Sequence, residues 1–160
     1  MATVIKEIQA EDRRYDLLDG AGSDAVHTDP QYGYGVTRLI TKDGNISGTG
    51  IAYTLGGGTN LVTAAIDLLS ESLVGKEIED LMSNFGTFQK SLAEHHHIRW
   101  LGPHKGVIHL ALASITNACF DLWAKSRGLP LWRLLLELES DELTALIDFS
   151  YLEEVLTVEE

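Results

Sequence analysis

The stretch that most constrains the fold begins at Val107 and reads VIHLALASITNACFDLWAKS before Arg127-Gly128-Leu129-Pro130. It is apolar almost all round. Ala111, Ile115, Ala118 and Leu122 share one helical face, and Ile108, Leu112 and Cys119 widen it. A helix this apolar has to be enclosed by other elements. Lys125 and Arg127 suit the C-terminal end of the helix dipole. Gly128 can take the left-handed conformation that ends a helix, and Pro130 forbids continuation. The rest of the chain must therefore supply the cover.

The first third supplies strands. Thr3 to Gln9 reads as a short strand anchored by Val4 and Ile8. Residues 10–32 are polar, carry Gly20, Gly22 and Pro30, and read as a loop. Tyr34 to Thr41 alternates as a strand, and Lys42-Asp43-Gly44-Asn45 has the chemistry of a hairpin turn. Ile46 to Leu55 returns, with Gly48 and Gly50 marking a bulge or a close backbone approach. These three strands form an antiparallel meander.

Helices follow. Thr59 is the expected N-cap of a helix over Asn60–Leu73, with Leu61, Ala65, Leu68 and Leu69 as its inner face. Val74-Gly75-Lys76 breaks it. Short helices are expected over Glu77–Met82 and Asn84–Ala93, and residues 94–105 form a loop. After the central helix come a short helix at Leu131–Leu138 and a strand at Leu143–Asp148. The fold class is α+β: a three-stranded antiparallel meander followed by a helical bundle.

Charge and cysteine usage narrow the functional classes. The net charge of −12 lacks the basic patches that nucleic acid requires. Nine acids and no Lys or Arg lie from Glu137 onward, so the first 136 residues carry 15 acids against 12 bases. The acidic segment reads as a solvated tail or as one whose basic partners lie elsewhere. The single cysteine, Cys119, reads as a small buried hydrophobe and fits a reducing compartment. The start, MATVIKEIQAEDRR, lacks the apolar region of a secretory signal. No run of about 18 consecutive apolar residues suggests a membrane span. The expected location is cytoplasmic, with the mitochondrion left open.

Three clusters bear on chemistry. His95-His96-His97 suggests metal, but adjacent histidines point apart, so at most two converge and a solvated loop is favoured. His109 reads as a satisfied, partly buried histidine, and His104 as a loop residue. Gly56-Gly57-Gly58-Thr59 at a helix start resembles an anion cradle. It lacks the Lys-Ser/Thr of a nucleotide loop, and a plain strand-to-helix turn is favoured. Ser23, Asp24 and His27 put a hydroxyl, a carboxylate and an imidazole within five residues. Hydrolytic catalysis needs convergence and an oxyanion hole, so recognition of a hydroxylated ligand is the better functional reading beside a plain loop.

These residues carry a family resemblance. ALASITNACFDLWAKSRGLPLWRLL resembles the helix of the mandelate-racemase-like branch of the enolase superfamily, with its Ala-Asp-Leu-x-x-Lys and Gly-x-Pro-x-x-x-Leu-Leu. Within that branch GSDAVHTDPQY (22–32), YTLGGGT (53–59), RWLGPHKGV (99–107) and IDFSYLEEVLT (147–157) are most similar to L-fuconate dehydratases. The chain departs from that pattern in a longer Asp19–Ser23 stretch, in His104 for an acid and in Ser150 for an Arg.

The resemblance implies an N-terminal capping domain over residues 1–143, with 144–160 as linker and start of a TIM-barrel domain. The barrel would supply Mg²⁺ ligands, a lysine base and a catalytic histidine, and would remove water from an acid sugar. On this expectation the chain holds no catalytic residue and no metal site. Mg²⁺ belongs to the full-length enzyme. Loops 16–32 and 54–59 cover the substrate, and their candidates are Ser23, Asp24, His27, Tyr32, Thr54 and Gly56. The implied partners are the acid sugar, the barrel domain or a second copy of the chain. Thr157-Val158-Glu159-Glu160 reads as a capping box at the entrance to a further helix, so a truncated chain, inactive alone, is expected. A stand-alone interaction module or degenerate gene product is the alternative.

Overall fold

The structure, a computed structural model, describes residues 2–19, 21–28, 31–101, 106–150 and 155. His104 and the Thr157–Glu160 capping box lie outside the described residues. Three strands, β1 (Ile5–Tyr15), β2 (Tyr32–Thr41) and β3 (Ser47–Thr54), form one antiparallel sheet in the order β1-β2-β3. Six α-helices follow among the described residues: α1 (Thr59–Ser70), α2 (Ile78–Met82), α3 (Phe85–Ala93), α4 (Val107–Ser126), α5 (Leu131–Leu136) and α6 (Ser140–Ala145). This is the α+β class read from the sequence.

The central helix is α4, and all seven residues assigned to its inner face are buried. By length and mean hydropathy alone it is also long and apolar enough to cross a bilayer. Its apolarity is accounted for by the core it fills. One side packs on the sheet and another on α1. Gly48 and Gly50 permit the approach: a Cβ on Gly48 would overlap the Ala118 carbonyl, and one on Gly50 the Ser114 carbonyl. Close backbone approach, not a bulge, explains both glycines. Buried Ser114 Oγ sits 3.0 Å from the carbonyl oxygens of Gly35 and Gly50, and 2.8 Å from buried Thr37 Oγ1. Each polar group at this close contact is therefore satisfied.

The helix also covers the β3 edge of the sheet. Asn117, Asp121 and Lys125 lie one turn apart on α4. Asn117 Nδ2 donates to the Ile51 carbonyl at 3.1 Å, Thr49 N donates to Asp121 Oδ2 at 2.7 Å, and Lys125 Nζ donates to the Ser47 carbonyl at 2.9 Å. At the helix end Gly128 takes φ 67°. Gly128 N then donates to Lys125 O and Leu129 N to Ala124 O, as the sequence signal anticipated.

Four expectations are corrected. β1 runs to Tyr15, beyond Gln9, so the following loop is shorter. The Glu11-Asp12-Arg13-Arg14 segment extends because its charges pair two residues apart, Arg13 with Glu11 and Arg14 with Asp12, while its backbone pairs with β2. In α1 the inner face is Val62, Ala65, Ile66 and Leu69, whereas Leu61 and Leu68 face outward. The N-cap of α1 is Gly58, at φ 81°, and Thr59 is its first, fully buried residue. Leu143–Asp148 is not a strand. Helix α6 occupies Ser140–Ala145, held by a capping box between Glu139 and Glu142.

Candidate functional site

Two connections leave the same end of the sheet. Tyr15 pairs with Tyr32 and Gly33 pairs with Thr54, so the 16–31 loop and the 55–58 turn begin side by side. The sequence implies this only through the resemblance; the register makes it geometry.

The 55–58 turn is built from small residues. Gly56 and Gly58 have φ of 91° and 81°, a region L-side chains rarely adopt. Thr54 Oγ1 and Thr59 Oγ1 are 2.6 Å apart, Thr59 Oγ1 donates to the Gly56 carbonyl at 2.9 Å, and Gly56 N donates to Thr54 Oγ1 at 3.3 Å. These hydroxyls are spent inside the turn, which favours the strand-to-helix reading over the anion cradle. A Cβ on Gly33 would lie 2.7 Å from Thr59 Oγ1, so β2 also has to be bare here.

Gln31 joins the turn to the long loop. Its side chain donates to Asp16 Oδ1 at 2.7 Å, tying the two ends of the loop together. A Cβ on Gly56 would come within 2.9 Å of Gln31 Cβ. Neither Asp16 nor Gln31 was singled out from the sequence, because each is an ordinary polar loop residue until the register is known.

Inside the loop, Asp24 organises a tight turn. Its Oδ1 accepts from Val26 N at 2.8 Å and His27 N at 2.6 Å, and both carboxylate oxygens lie 3.1 Å from His27 Nδ1. The backbone N–H of His27, then that of Val26, then the His27 side chain hold the Asp24 carboxyl down at about 2. Asp24 N donates to the His27 carbonyl at 2.9 Å, and Ser23 Oγ to the Thr28 carbonyl at 3.0 Å. Asp24 and His27 are thus brought together as a pair. Ser23 turns away, so no nucleophilic triad forms.

An aromatic wall stands beside the loops. Tyr32 and Tyr53 meet edge to face at 5.3 Å between ring centroids, Tyr34 lies 5.8 Å from Tyr53, and Tyr15 lies 5.9 Å from Tyr34. Partial desolvation, with Tyr32 and Tyr34 adjacent, holds the Tyr53 phenol above its ordinary value. Only Tyr32 was a candidate from the sequence. The signal for the rest is the period-two spacing of Tyr32 and Tyr34, which puts both on the outer face of β2.

Elsewhere, the rings of His95, His96 and His97 lie 4.1 to 5.6 Å apart, closer than the expectation that they point apart. Among the described residues no group of three His, Cys, Asp or Glu side chains is arranged to hold a metal ion. The described residues therefore do not fit Mg²⁺. Ser150 sits beside Asp148, with Ser150 N 3.1 Å from Asp148 Oδ1, and Lys90 reaches both residues. Large apolar side chains are exposed on α5 and α6, including Trp132 (65%) and Leu136 (77%).

Together, the loop pair offers backbone and side-chain hydrogen-bonding groups against an aromatic wall.

The chain is similar in sequence and fold to known proteins. Residues 22–135 match the family described as mandelate racemase / muconate lactonizing enzyme, N-terminal domain. Human mitochondrial enolase superfamily member 1 is 42% identical over 159 residues, 98% of this chain and 36% of that protein. Its crystal structure superposes with a TM-score of 0.92, covering 99% of this chain and 36% of that one. L-galactonate dehydratase of Hypocrea jecorina is 39% identical over 143 residues, 89% of this chain and 32% of that protein. The Salmonella typhimurium L-talarate/galactarate dehydratase liganded with Mg and L-lyxarohydroxamate is 19% identical, with a TM-score of 0.64 over 84% of this chain and 34% of its own, a likeness of fold. The chain spans about a third of the length of the curated relatives it matches.

Proposed function

The chain belongs to the enolase superfamily, as a member of the mandelate racemase / muconate lactonizing enzyme N-terminal-domain family, and from that premise we propose that it is the substrate-covering domain of an acid-sugar dehydratase resembling L-fuconate dehydratase. The observation that carries this reading is the meeting of the 16–31 loop and the 55–58 turn at one end of the sheet, with Gln31 packed close against Gly56. Two loops held in fixed relation by a rigid sheet can close over a ligand, exclude water and select it by shape.

Within this proposal residues 1–143 form the cap. The rest of such an enzyme supplies Mg²⁺ coordination and the acid and base that remove water from L-fuconate to give the 2-keto-3-deoxy acid. This chain's own residues bind and orient: His27, held by Asp24, and the turn backbone toward hydroxyls, and Tyr32 as a wall. The cap alone would then be inactive. The exposed apolar face of α5 and α6 supports burial against a partner, whether the remaining domain or a second copy. The buried Cys119 and the mitochondrial relatives support a reducing compartment, cytoplasmic or mitochondrial.

Hydrogen-exchange mass spectrometry tests the reading. Adding L-fuconate should slow exchange in peptides covering 21–28 and 54–58, while product assays with Mg²⁺ stay at the blank. Unchanged exchange in both loops, or turnover by the chain alone, would overturn it.

A further inference from the structure

The carboxylate of Asp24 stands 3.1 Å from His27 Nδ1 through both oxygens. An ionised carboxylate only accepts hydrogen bonds, so the hydrogen between the two groups belongs to the imidazole. In the neutral ring Nδ1 is then the N–H and Nε2 carries the lone pair. Among the described residues no hydrogen bond reaches Nε2, and the His27 side chain is 45% exposed. The ring is not held by this contact alone. Asp24 also accepts from the His27 backbone, and Asp24 N returns a bond to the His27 carbonyl. The backbone turn and the ring orientation are therefore set by the same carboxylate.

We propose that Asp24 is a positioning residue that fixes His27 in the Nδ1–H tautomer, so that Nε2 accepts a hydrogen bond from a hydroxyl of the sugar acid. This rests on the reading of the two loops as substrate-covering and assigns the selection to one atom. A lone-pair nitrogen favours a hydroxyl, which can donate, over a keto oxygen, which only accepts. The neutral ring would therefore hold a polyhydroxy acid better than an analogue with a carbonyl at the same carbon. A site built to pair a hydroxyl rejects a molecule lacking it more strongly than an apolar pocket can.

The test is nuclear magnetic resonance of the ¹⁵N-labelled chain in mildly alkaline buffer. Long-range ¹H–¹⁵N spectra should show His27 Nδ1 as the N–H and Nε2 as the lone-pair nitrogen. Asp24→Ala should convert the ring to a mixture of tautomers. Asp24→Asn, which keeps an acceptor for Nδ1–H and for the backbone, should restore the Nδ1–H form. Titration with L-galactonate should move the Nε2 signal, and His27→Phe should weaken apparent affinity roughly tenfold, the worth of one hydrogen bond. An Nε2–H ring in the unmodified chain would overturn the proposal. So would an unmoved Nε2 while the Gly56–Gly58 amides shift, an outcome that leaves the substrate-covering reading standing. If neither His27 nor the 55–58 turn responds, both readings fall.

Discussion

Asp121 Oδ2 lies 2.7 Å from the backbone nitrogen of Thr49. Through this contact a helix side chain fills the place a neighbouring strand would take. A free strand edge presents unpaired N–H and C=O groups and invites pairing with another chain. Here Asn117, Asp121 and Lys125 occupy three of those groups on β3, and Lys125 also pairs with Asp121 at 2.6 Å. Two residues of the family-like Ala-Asp-Leu-x-x-Lys pattern, Asp121 and Lys125, thus seal the sheet.

Asp121→Ala should therefore destabilise the chain by about 1–2 kcal/mol, the range for losing a charged acceptor from a backbone N–H at a partly exposed site. Urea denaturation measures it. Asp121→Asn, which keeps an acceptor oxygen, should lose less than half as much. Equal losses would show that charge, not the edge contact, matters.

A glycine of β3 and one of the 55–58 turn make a sharper contrast. Gly50→Ala places a methyl into the Ser114 carbonyl and should cost at least about 2 kcal/mol, since a backbone carbonyl cannot yield as the far end of a side chain can. Gly57→Ala, which meets nothing within 4 Å, should stay within about 0.5 kcal/mol of the parent. Thermal unfolding of the two variants checks the pair.

These two sites also show what the sequence makes legible. The seven inner residues of α4 are readable because one apolar face exceeds every other. Helix α1 is ambiguous: Leu61, Val62, Ala65, Ile66, Leu68 and Leu69 support two faces. Packing decides between them, for Gly35 leaves room under Val62 and Ile66. The Glu11–Arg14 segment hides a strand because its residues have low strand propensity and its stabilising pairs form only once it is extended. Leu143–Asp148 misleads because the capping box of α6 begins with Glu139 rather than Ser or Thr. At the candidate site the nearness of Asp24 and His27 is visible in the sequence, but Gln31 on Gly56 depends on strand register.

The acid titration of Asp24 follows from its turn. Its folded pKa of about 2 lies below the ordinary 3.8. The turn's contribution is therefore present above about pH 4 and lost as pH falls through about 2. The Val26 and His27 amide resonances should titrate with a midpoint near 2. A midpoint near 3.8 would mean that the carboxylate does not hold the turn.

Cys119 offers a test of the core. Burial pushes its thiol up to about 12, so a thiol-specific reagent at neutral pH should leave the folded chain unmodified and label it in denaturant. Rapid labelling of the native protein would mean that α4 is not enclosed as described.

The central claim is that the 16–31 loop and the 55–58 turn form one recognition surface. Mapping backbone amide shifts across the chain during an L-fuconate titration tests it most directly. The account predicts shifts at Ser23 to His27, at Tyr32 and at Thr54 to Gly58, saturating together with one apparent affinity. Shifts confined to α5 and α6, or loop and turn responding with different affinities, would contradict it.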